Sequence, residues 1–145
     1  MTKRDIALVV VAAGQGQRLG AGKPKAFVDL VGRPLLTHAI ESIIALPDLA
    51  QLILAVPESH LVESAQIGAE LIGELPIKFE VVLGGETRQA SIANALAELG
   101  EESQIVLVHD AARALAPTSL FASVAASVRA TGTSSLPVMP VVDTI

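Results

Sequence analysis

The sequence predicts an α/β fold in three layers: a mostly parallel sheet with helices on both of its faces. First, short β-branched runs alternate along the chain with segments whose apolar residues have helical spacing, which is the pattern of right-handed βαβ units. Second, 51% of the 145 residues are hydrophobic but only 2% are aromatic. Such aliphatic strands are typical of parallel sheets that are buried on both faces.

The alternation can be followed element by element. The predicted strands are Ile6–Ala12, Gln51–Val56, Lys78–Leu83, Gln104–His109 and Leu136–Val142. The predicted helices are Pro34–Ala45, Ser59–Leu71, Gln89–Leu99 and Thr118–Ala130. Proline suits the first turn of a helix, whereas Pro137 and Pro140 indicate that the last strand lies at an edge of the sheet. Residues 14–24 are rich in glycine and form a loop.

Composition and charge exclude several classes of protein. The net charge of −5 argues against a non-specific nucleic-acid binder, which would be basic. Without cysteine there is neither a disulfide framework nor a thiolate metal site. No segment reaches the ~18 apolar residues of a membrane span. The apolar run from Ile6 to Ala13 is short and is followed by glycines, a basic residue and more domain sequence, so we do not interpret it as a signal sequence. We therefore expect one domain, residues 1–145, with a cytoplasmic location and no membrane partner.

Chemically active residues follow the predicted strands where each strand ends. Residues 12–18 (AAGQGQR) follow the first strand, residues 84–88 (GGETR) the third, residues 110–113 (DAAR) the fourth and residues 143–144 (DT) the fifth. In parallel sheets, ligands bind beyond the carboxyl ends of the strands. Glycines, hydroxyls, acids and arginines should therefore meet at one rim.

The glycine-rich loop after the first strand has the features of a phosphate site. Gly14 and Gly16 permit a sharp turn whose free N–H groups form an anion-binding nest. Arg18 and Lys25 add positive charge, which favours phosphate binding over the alternative, a purely structural connector. Lys23 is a weaker candidate for the same role.

Two familiar phosphate-binding motifs do not match this loop. A dinucleotide fingerprint would need glycine where Leu19 stands, and a P-loop would need serine or threonine where Pro24 follows Gly22 and Lys23. Neither motif is therefore present in this loop.

The loop and three later stretches carry a family resemblance. Residues 12–18 followed by Pro24-Lys25 resemble nucleotidyltransferases that activate sugars and alcohols. Together with residues 84–91 (GGETRQAS), 108–113 (VHDAAR) and 140–145 (PVVDTI), they are similar to the 2-C-methyl-D-erythritol 4-phosphate cytidylyltransferases of non-mevalonate isoprenoid synthesis. The family usually has proline where this chain has Ala114. The resemblance covers residues 6–145 and implies a Rossmann-like fold of the nucleotide-diphospho-sugar transferase type.

The resemblance also implies an activity, transfer of CMP from CTP to methylerythritol phosphate with release of pyrophosphate, and roles for individual residues. Arg18 and Lys25 would be catalytic, stabilising charge on the triphosphate, and Asp110 would bind Mg²⁺. The CTP site would comprise Ala12, Ala13, Gly14, Gly16, Gly85, Glu86, Arg88 and Ser91. The acceptor phosphate would meet Arg113, Asp143 and Thr144.

Each role has a plainer alternative. Arg18 and Lys25 could form surface salt bridges, and Asp110 could cap a helix or pair with Arg113. Ser91 could be an ordinary helix-face residue, and Arg88 could contact the base or ribose or pair with Glu86. We expect His109 to be a packed histidine rather than a catalyst, and His38 and His60 to lie at the surface.

Members of this family normally continue past the Asp-Thr motif through a dimerisation arm, a further catalytic lysine, and a last strand and helix. We therefore expect an N-terminal portion of such a chain, with a homodimer expected for the complete family member. The alternatives are a non-catalytic nucleotide-binding fragment and a related nucleotidyltransferase with another base or acceptor.

Overall fold

The computed structural model describes residues 3–14 and 22–140, which contain six strands and four α-helices. The strands are β1 (Ile6–Val11), β2 (Asp29–Leu30), β3 (Arg33–Pro34), β4 (Leu49–Val56), β5 (Lys78–Leu83) and β6 (Ile105–Asp110). The helices are α1 (Leu35–Ile44), α2 (Leu61–Ile72), α3 (Arg88–Leu96) and α4 (Thr118–Thr131). Short 3-10 turns lie at Lys25–Phe27 and Glu58–His60.

The central sheet has four strands in the order β5-β4-β1-β6, and all three neighbouring pairs are parallel. This confirms the predicted parallel sheet. The strand register aligns the carboxyl ends of the four strands. Val11 of β1 lies beside both Ala55 and Asp110, and Val56 of β4 lies beside Leu83. Whatever follows β1, β5 and β6 therefore meets at one edge of the sheet.

The two faces of the sheet are covered unequally. On one face Leu8 and Val10 belong to the large core cluster, which includes residues of α1, α2 and α4. On the other face Val9 packs with Ile53 and with Ala95 of α3. Successive residues of a strand point to opposite faces, so the uninterrupted apolar run of β1 is explained by burial on both sides. The three-layer architecture is as predicted.

The predicted strand from Leu136 to Val142 is wrong for residues 136–140, which have no strand structure, and its last two residues lie outside the described part of the chain. The side chains of Leu136, Val138 and Met139 are about four-fifths exposed or more. Two prolines cannot donate hydrogen bonds to a sheet, and this segment pairs with no strand of the described sheet. Consequently β6 ends the sheet at this side.

A small hairpin between the glycine-rich loop and α1 was not predicted. β2 and β3 pair antiparallel around Val31 and Gly32, which both have positive φ, 53° and 77°. Two such residues in a two-residue loop are typical of tight hairpins, but valine rarely adopts this conformation. His38 Nε2 lies 2.8 Å from the Leu30 carbonyl oxygen and holds the hairpin against α1.

Within the described residues, none of the helices is both long and apolar enough to cross a lipid bilayer.

Candidate functional site

A cleft of about 580 Å³ opens at the carboxyl edge of the sheet. It is lined by residues that follow β1, β5 and β6 and by the turn that contains Lys25. The predicted site residues on its wall are Ala12, Ala13, Gly14, Lys25, Gly85, Glu86, Arg88, Ser91, Asp110 and Arg113. The structure therefore brings together four segments that are far apart in the sequence, as the positions of the strand ends predicted.

One end of the cleft is built by the turn between β5 and α3. The Ser91 hydroxyl is buried; it accepts a hydrogen bond from the Gly85 amide at 3.0 Å and donates one to the Thr87 carbonyl oxygen at 3.0 Å. The Thr87 side chain caps α3 by accepting a hydrogen bond from the Ala90 amide at 3.0 Å. A helix cap of this kind satisfies an otherwise unpaired amide. The turn is thus fixed by its own side chains.

Close packing fixes the same turn from outside. A Cβ atom added at Gly84 would lie 2.2 Å from the Ala13 Cβ, and one added at Gly85 would lie 2.4 Å from the Ala90 Cβ. The Gly84 amide also donates to the Val56 carbonyl oxygen at 2.8 Å. Only glycine fits at these two positions, so the backbone beside the cleft is held between β1, β4 and α3.

The segment after β1 forms the neighbouring wall. The Ala12 amide donates to the Ala55 carbonyl oxygen at 2.8 Å, which continues the alignment of β1 with β4. Gly14 differs from Gly84, because a Cβ atom added at Gly14 would have no neighbour within 4 Å. Packing within the described residues therefore does not require glycine at position 14, and the space beside its backbone opens into the cleft.

Lys25 reaches the cleft from an anchored turn. Ala26 and Phe27 in the same 3-10 turn are buried in the core, whereas Lys25 itself is exposed. The Phe27 ring stacks at 4.0 Å on His60, whose side chain is only 17% exposed. The expectation that His60 lies at the surface is therefore wrong, because its ring covers Phe27. This contact helps to hold the turn that presents Lys25.

The opposite wall carries an ion-pair cluster centred on Asp110. Arg88 Nε donates to Asp110 Oδ1 at 3.0 Å, and Arg113 Nε lies 3.7 Å from Asp110 Oδ2. The Ala111 amide donates to the Val11 carbonyl oxygen at 3.1 Å and so fixes this segment to β1. The predicted alternative for Asp110, pairing with Arg113, is observed. Pairing with Arg88 was not foreseen.

His109 lies behind this cluster and is buried. Its ring meets Phe121 edge-to-face at 5.0 Å, and its Nε2 has no hydrogen-bond partner among the described residues. Burial lowers the pKa of His109 below its ordinary value of 6.5, although the Arg113 backbone and the Asp110 charge act in the opposite direction. The ring is therefore held in its neutral form, which agrees with the expectation of a packed histidine.

Asp110 is the residue predicted to bind a metal ion, and it lines the cleft. No group of three or more His, Asp or Glu side chains lies close enough together within residues 3–14 and 22–140 to hold an ion alone. Asp110, about one-third exposed, faces the cleft. A metal ion here would need further ligands from a bound phosphate or from water, which is the habit of Mg²⁺.

Some predicted site residues lie outside the described part of the chain: Gly16, Arg18, Asp143 and Thr144. Conversely, Ala112 and Thr87 line the cleft although no role was predicted for them. The capping pattern of Thr87 before a helix could have identified it from the sequence. Ala112 carries no comparable signal.

Comparison with known proteins is consistent with this arrangement. The model of the 2-C-methyl-D-erythritol 4-phosphate cytidylyltransferase family matches residues 6–145. A bifunctional enzyme IspD/IspF from Clavibacter michiganensis subsp. michiganensis is 46% identical over 140 residues, which cover 97% of this chain and 34% of that protein. A 2-C-methyl-D-erythritol 4-phosphate cytidylyltransferase from Rhodococcus opacus is 44% identical, with 97% of this chain and 58% of that protein covered.

Solved structures show the same fold. A 4-diphosphocytidyl-2C-methyl-D-erythritol synthase superimposes with a TM-score of 0.74 at 22% identity, over 100% of this chain and 64% of that one. A synthase of the same name from Anaerococcus prevotii gives a TM-score of 0.69, also at 22% identity, over 87% of this chain and 52% of that one. The chain thus spans between about one-third and two-thirds of the length of these relatives.

Proposed function

The chain belongs to the 2-C-methyl-D-erythritol 4-phosphate cytidylyltransferase family, and on this basis we propose that its cleft binds CTP with Mg²⁺ and transfers CMP to 2-C-methyl-D-erythritol 4-phosphate. One observation carries the proposal: a single cleft at the carboxyl edge of a parallel sheet is lined by residues 12–14, Lys25, residues 85–88, Ser91, Asp110, Ala112 and Arg113. That edge is where α/β proteins bind nucleotides.

In the proposed reaction, a phosphate oxygen of the acceptor attacks the α-phosphorus of CTP. The bond from the α-phosphorus to the oxygen that bridges it to the β-phosphorus breaks, and pyrophosphate leaves with that oxygen. Such a transfer needs alignment and charge stabilisation more than covalent help from the protein. Lys25 would supply positive charge at the triphosphate, together with Arg18, which the family resemblance assigns to the same task.

The base would lie at the end of the cleft formed by Gly85, Glu86 and Ser91. Cytosine has one amino donor and two acceptors at its edge, so backbone groups and the Glu86 region could distinguish it from a purine by size and by hydrogen-bonding pattern. The fixed geometry of the Gly84–Gly85 turn supports this assignment, because a rigid pocket loses less free energy when it binds.

Asp110 is the residue that would hold Mg²⁺, and the chemistry of the site fits that ion. A single carboxylate suffices because Mg²⁺ retains waters and takes phosphate oxygens as ligands. When bound, the ion would neutralise charge on the phosphates. Arg113, whose side chain is 78% exposed, is placed to meet the acceptor phosphate through its planar guanidinium; Asp143 and Thr144 are proposed partners in that task.

A pyrophosphate-release assay with CTP and methylerythritol phosphate tests the proposal. We expect release from the unmodified chain and a loss of about 100-fold or more in Asp110→Asn, the order seen when a group that stabilises transition-state charge is removed. Glu41→Gln is the matched control, because Glu41 also pairs with an arginine but lies outside the cleft. Equal rates in both variants would remove Asp110 from the mechanism.

A second candidate is nucleotide binding without transfer. It requires only the cleft walls proposed for the nucleotide, which residues 12–14, Lys25 and residues 85–88 supply. CTP binding without any pyrophosphate release in the assay would select this candidate.

A further inference from the structure

We propose that Arg88 is a positioning residue for Asp110. Its guanidinium pairs with the Asp110 carboxylate in the absence of ligand and is displaced when a metal–nucleotide complex binds. Arg88 and a divalent cation would compete for the same oxygens, so the metal would bind poorly alone and well together with nucleotide. This inference rests on the proposed function, since it concerns the same cleft.

The Asp110 carboxylate already has cationic side chains as partners. Arg88 Nε contacts Asp110 Oδ1 at 3.0 Å, and Arg113 Nε lies 3.7 Å from Oδ2. Both oxygens of the one carboxylate on this wall are thus next to a guanidinium. A cation that coordinates Asp110 competes with the Arg88 contact, because that contact takes one of the roughly four lone-pair sites of the carboxylate and places a like charge beside the ion.

The position of Arg88 in its helix also indicates a role in pairing with Asp110. Arg88 is the first residue of α3, directly after the cap Thr87, and the first turn of α3 contains no acidic residue. A positive charge at a helix N-terminus is unfavourable because the helix dipole is positive there. Helix stability therefore does not explain an arginine at this position, whereas its pairing with Asp110, 22 residues further along the chain, does.

The net charge of the cleft wall disfavours a metal ion that binds without nucleotide. Among the described residues, its wall carries three cationic side chains, Lys25, Arg88 and Arg113, and two anionic ones, Glu86 and Asp110. A bare divalent cation meets a site that is already positive. A triphosphate meets complementary charge, and its oxygens offer the guanidinium groups a bidentate alternative to Asp110.

Metal binding and nucleotide binding should therefore be positively coupled. When the triphosphate engages Arg88, the carboxylate becomes available to the ion, and the coupling is reciprocal by thermodynamic linkage. Arg88, with a side chain 56% exposed, has room to change partners. Removing its charge should strengthen the binding of metal alone and weaken the coupling.

Titration of the nucleotide-free chain with Mn²⁺, followed by electron paramagnetic resonance, tests this. We expect Arg88→Gln to bind Mn²⁺ about tenfold more tightly than the unmodified chain, within the range typical of coupled sites. Arg33→Gln is the control, because Arg33 makes an ion pair with Glu41 away from the cleft, and its Mn²⁺ affinity should not change. In Asp110→Asn the Mn²⁺ affinity should fall, which identifies the ligand.

A second titration, with CTP present, measures the coupling itself. The ratio of Mn²⁺ affinities with and without CTP should be smaller in Arg88→Gln than in the unmodified chain. Unchanged or weaker Mn²⁺ binding by nucleotide-free Arg88→Gln, at an unchanged melting temperature, would overturn the inference. Failure of the unmodified chain to bind CTP would instead overturn the proposed function, while the nucleotide-free comparison would still decide whether Arg88 competes with the ion.

Discussion

The two ends of the cleft are held in different ways. At the end proposed for the base, the turn from Gly84 to Ser91 is fixed by a buried hydroxyl, a helix cap and two glycines with no room for a side chain. At the end proposed for the phosphates, Lys25 and Arg113 are exposed side chains on anchored backbone. The difference suggests that the first end selects by shape, whereas the second responds to charge.

The largest expected effect lies at the charged end. Lys25→Ala should weaken CTP binding about 10- to 100-fold, because a hydrogen bond to a charged group contributes about 1.5–3 kcal/mol. Since the Lys25 side chain is exposed, the melting temperature should hardly change. Calorimetric titration and thermal unfolding measure the two quantities. Lys78→Ala, at the opposite edge of the sheet, is the control; equal losses in both variants would contradict a specific role for Lys25.

At the fixed end, two glycines give a matched pair of opposite expectations. Gly84→Ala should lower the free energy of unfolding by about 1–3 kcal/mol, because the new methyl group overlaps Ala13. Gly14→Ala should change it by less than about 0.5 kcal/mol, the usual limit for a substitution with no steric conflict, yet should weaken CTP binding. Denaturant unfolding measures both variants. Equal stability losses would show that the loop after β1 is also fixed by packing.

Ser91→Ala should destabilise the fold by about 1–3 kcal/mol, because the Gly85 amide would lose its buried partner. Ser123→Ala, at an exposed position of α4, provides the control for the loss of a hydroxyl group. Denaturant unfolding compares the two variants. If they lose equal stability, the Ser91 hydroxyl does not hold the turn.

The smallest effect concerns His109 and pH. Because burial lowers its pKa below 6.5, the unfolded chain binds a proton more readily than the folded one. The contribution of this residue to stability is therefore complete above about pH 6.5 and is lost as pH falls through the folded pKa, with a slope of at most about 1.4 kcal/mol per pH unit. Between pH 7.5 and 5, the melting temperature of His109→Gln should decline less steeply than that of the unmodified chain. An identical decline would show that His109 does not contribute to the pH dependence of stability.

The sequence predicts some parts of the fold and of the cleft but not others. The buried strands and the convergence of Lys25, Gly85 and Asp110 followed from the βαβ pattern, because parallel strands must end at a common edge. The hairpin at Val31 could not be predicted, since it requires valine in a conformation that valine disfavours. The strand expected at Leu136–Val142 is not formed at residues 136–140, where Pro137 and Pro140 have no backbone N–H to donate to a neighbouring strand.

The Arg88–Asp110 pair was beyond sequence reasoning for a related reason. Arg88 and Asp110 are 22 residues apart in the sequence. Neither the motif at residues 84–91 nor that at residues 108–113 specifies which arginine pairs with the Asp110 carboxylate. Pairing between the first residue of α3 and the last residue of β6 depends on rotamers and on the distance between the two elements, which only coordinates give.

Calorimetric titration of the chain with CTP, ATP and GTP, each in the presence of Mg²⁺, is the most direct test of the proposed nucleotide site. The fixed turn at Gly85 and Ser91 predicts that CTP binds more tightly than either purine nucleotide. Equal affinities for all three would mean that the cleft recognises phosphates alone, and would contradict the assignment of a cytosine pocket.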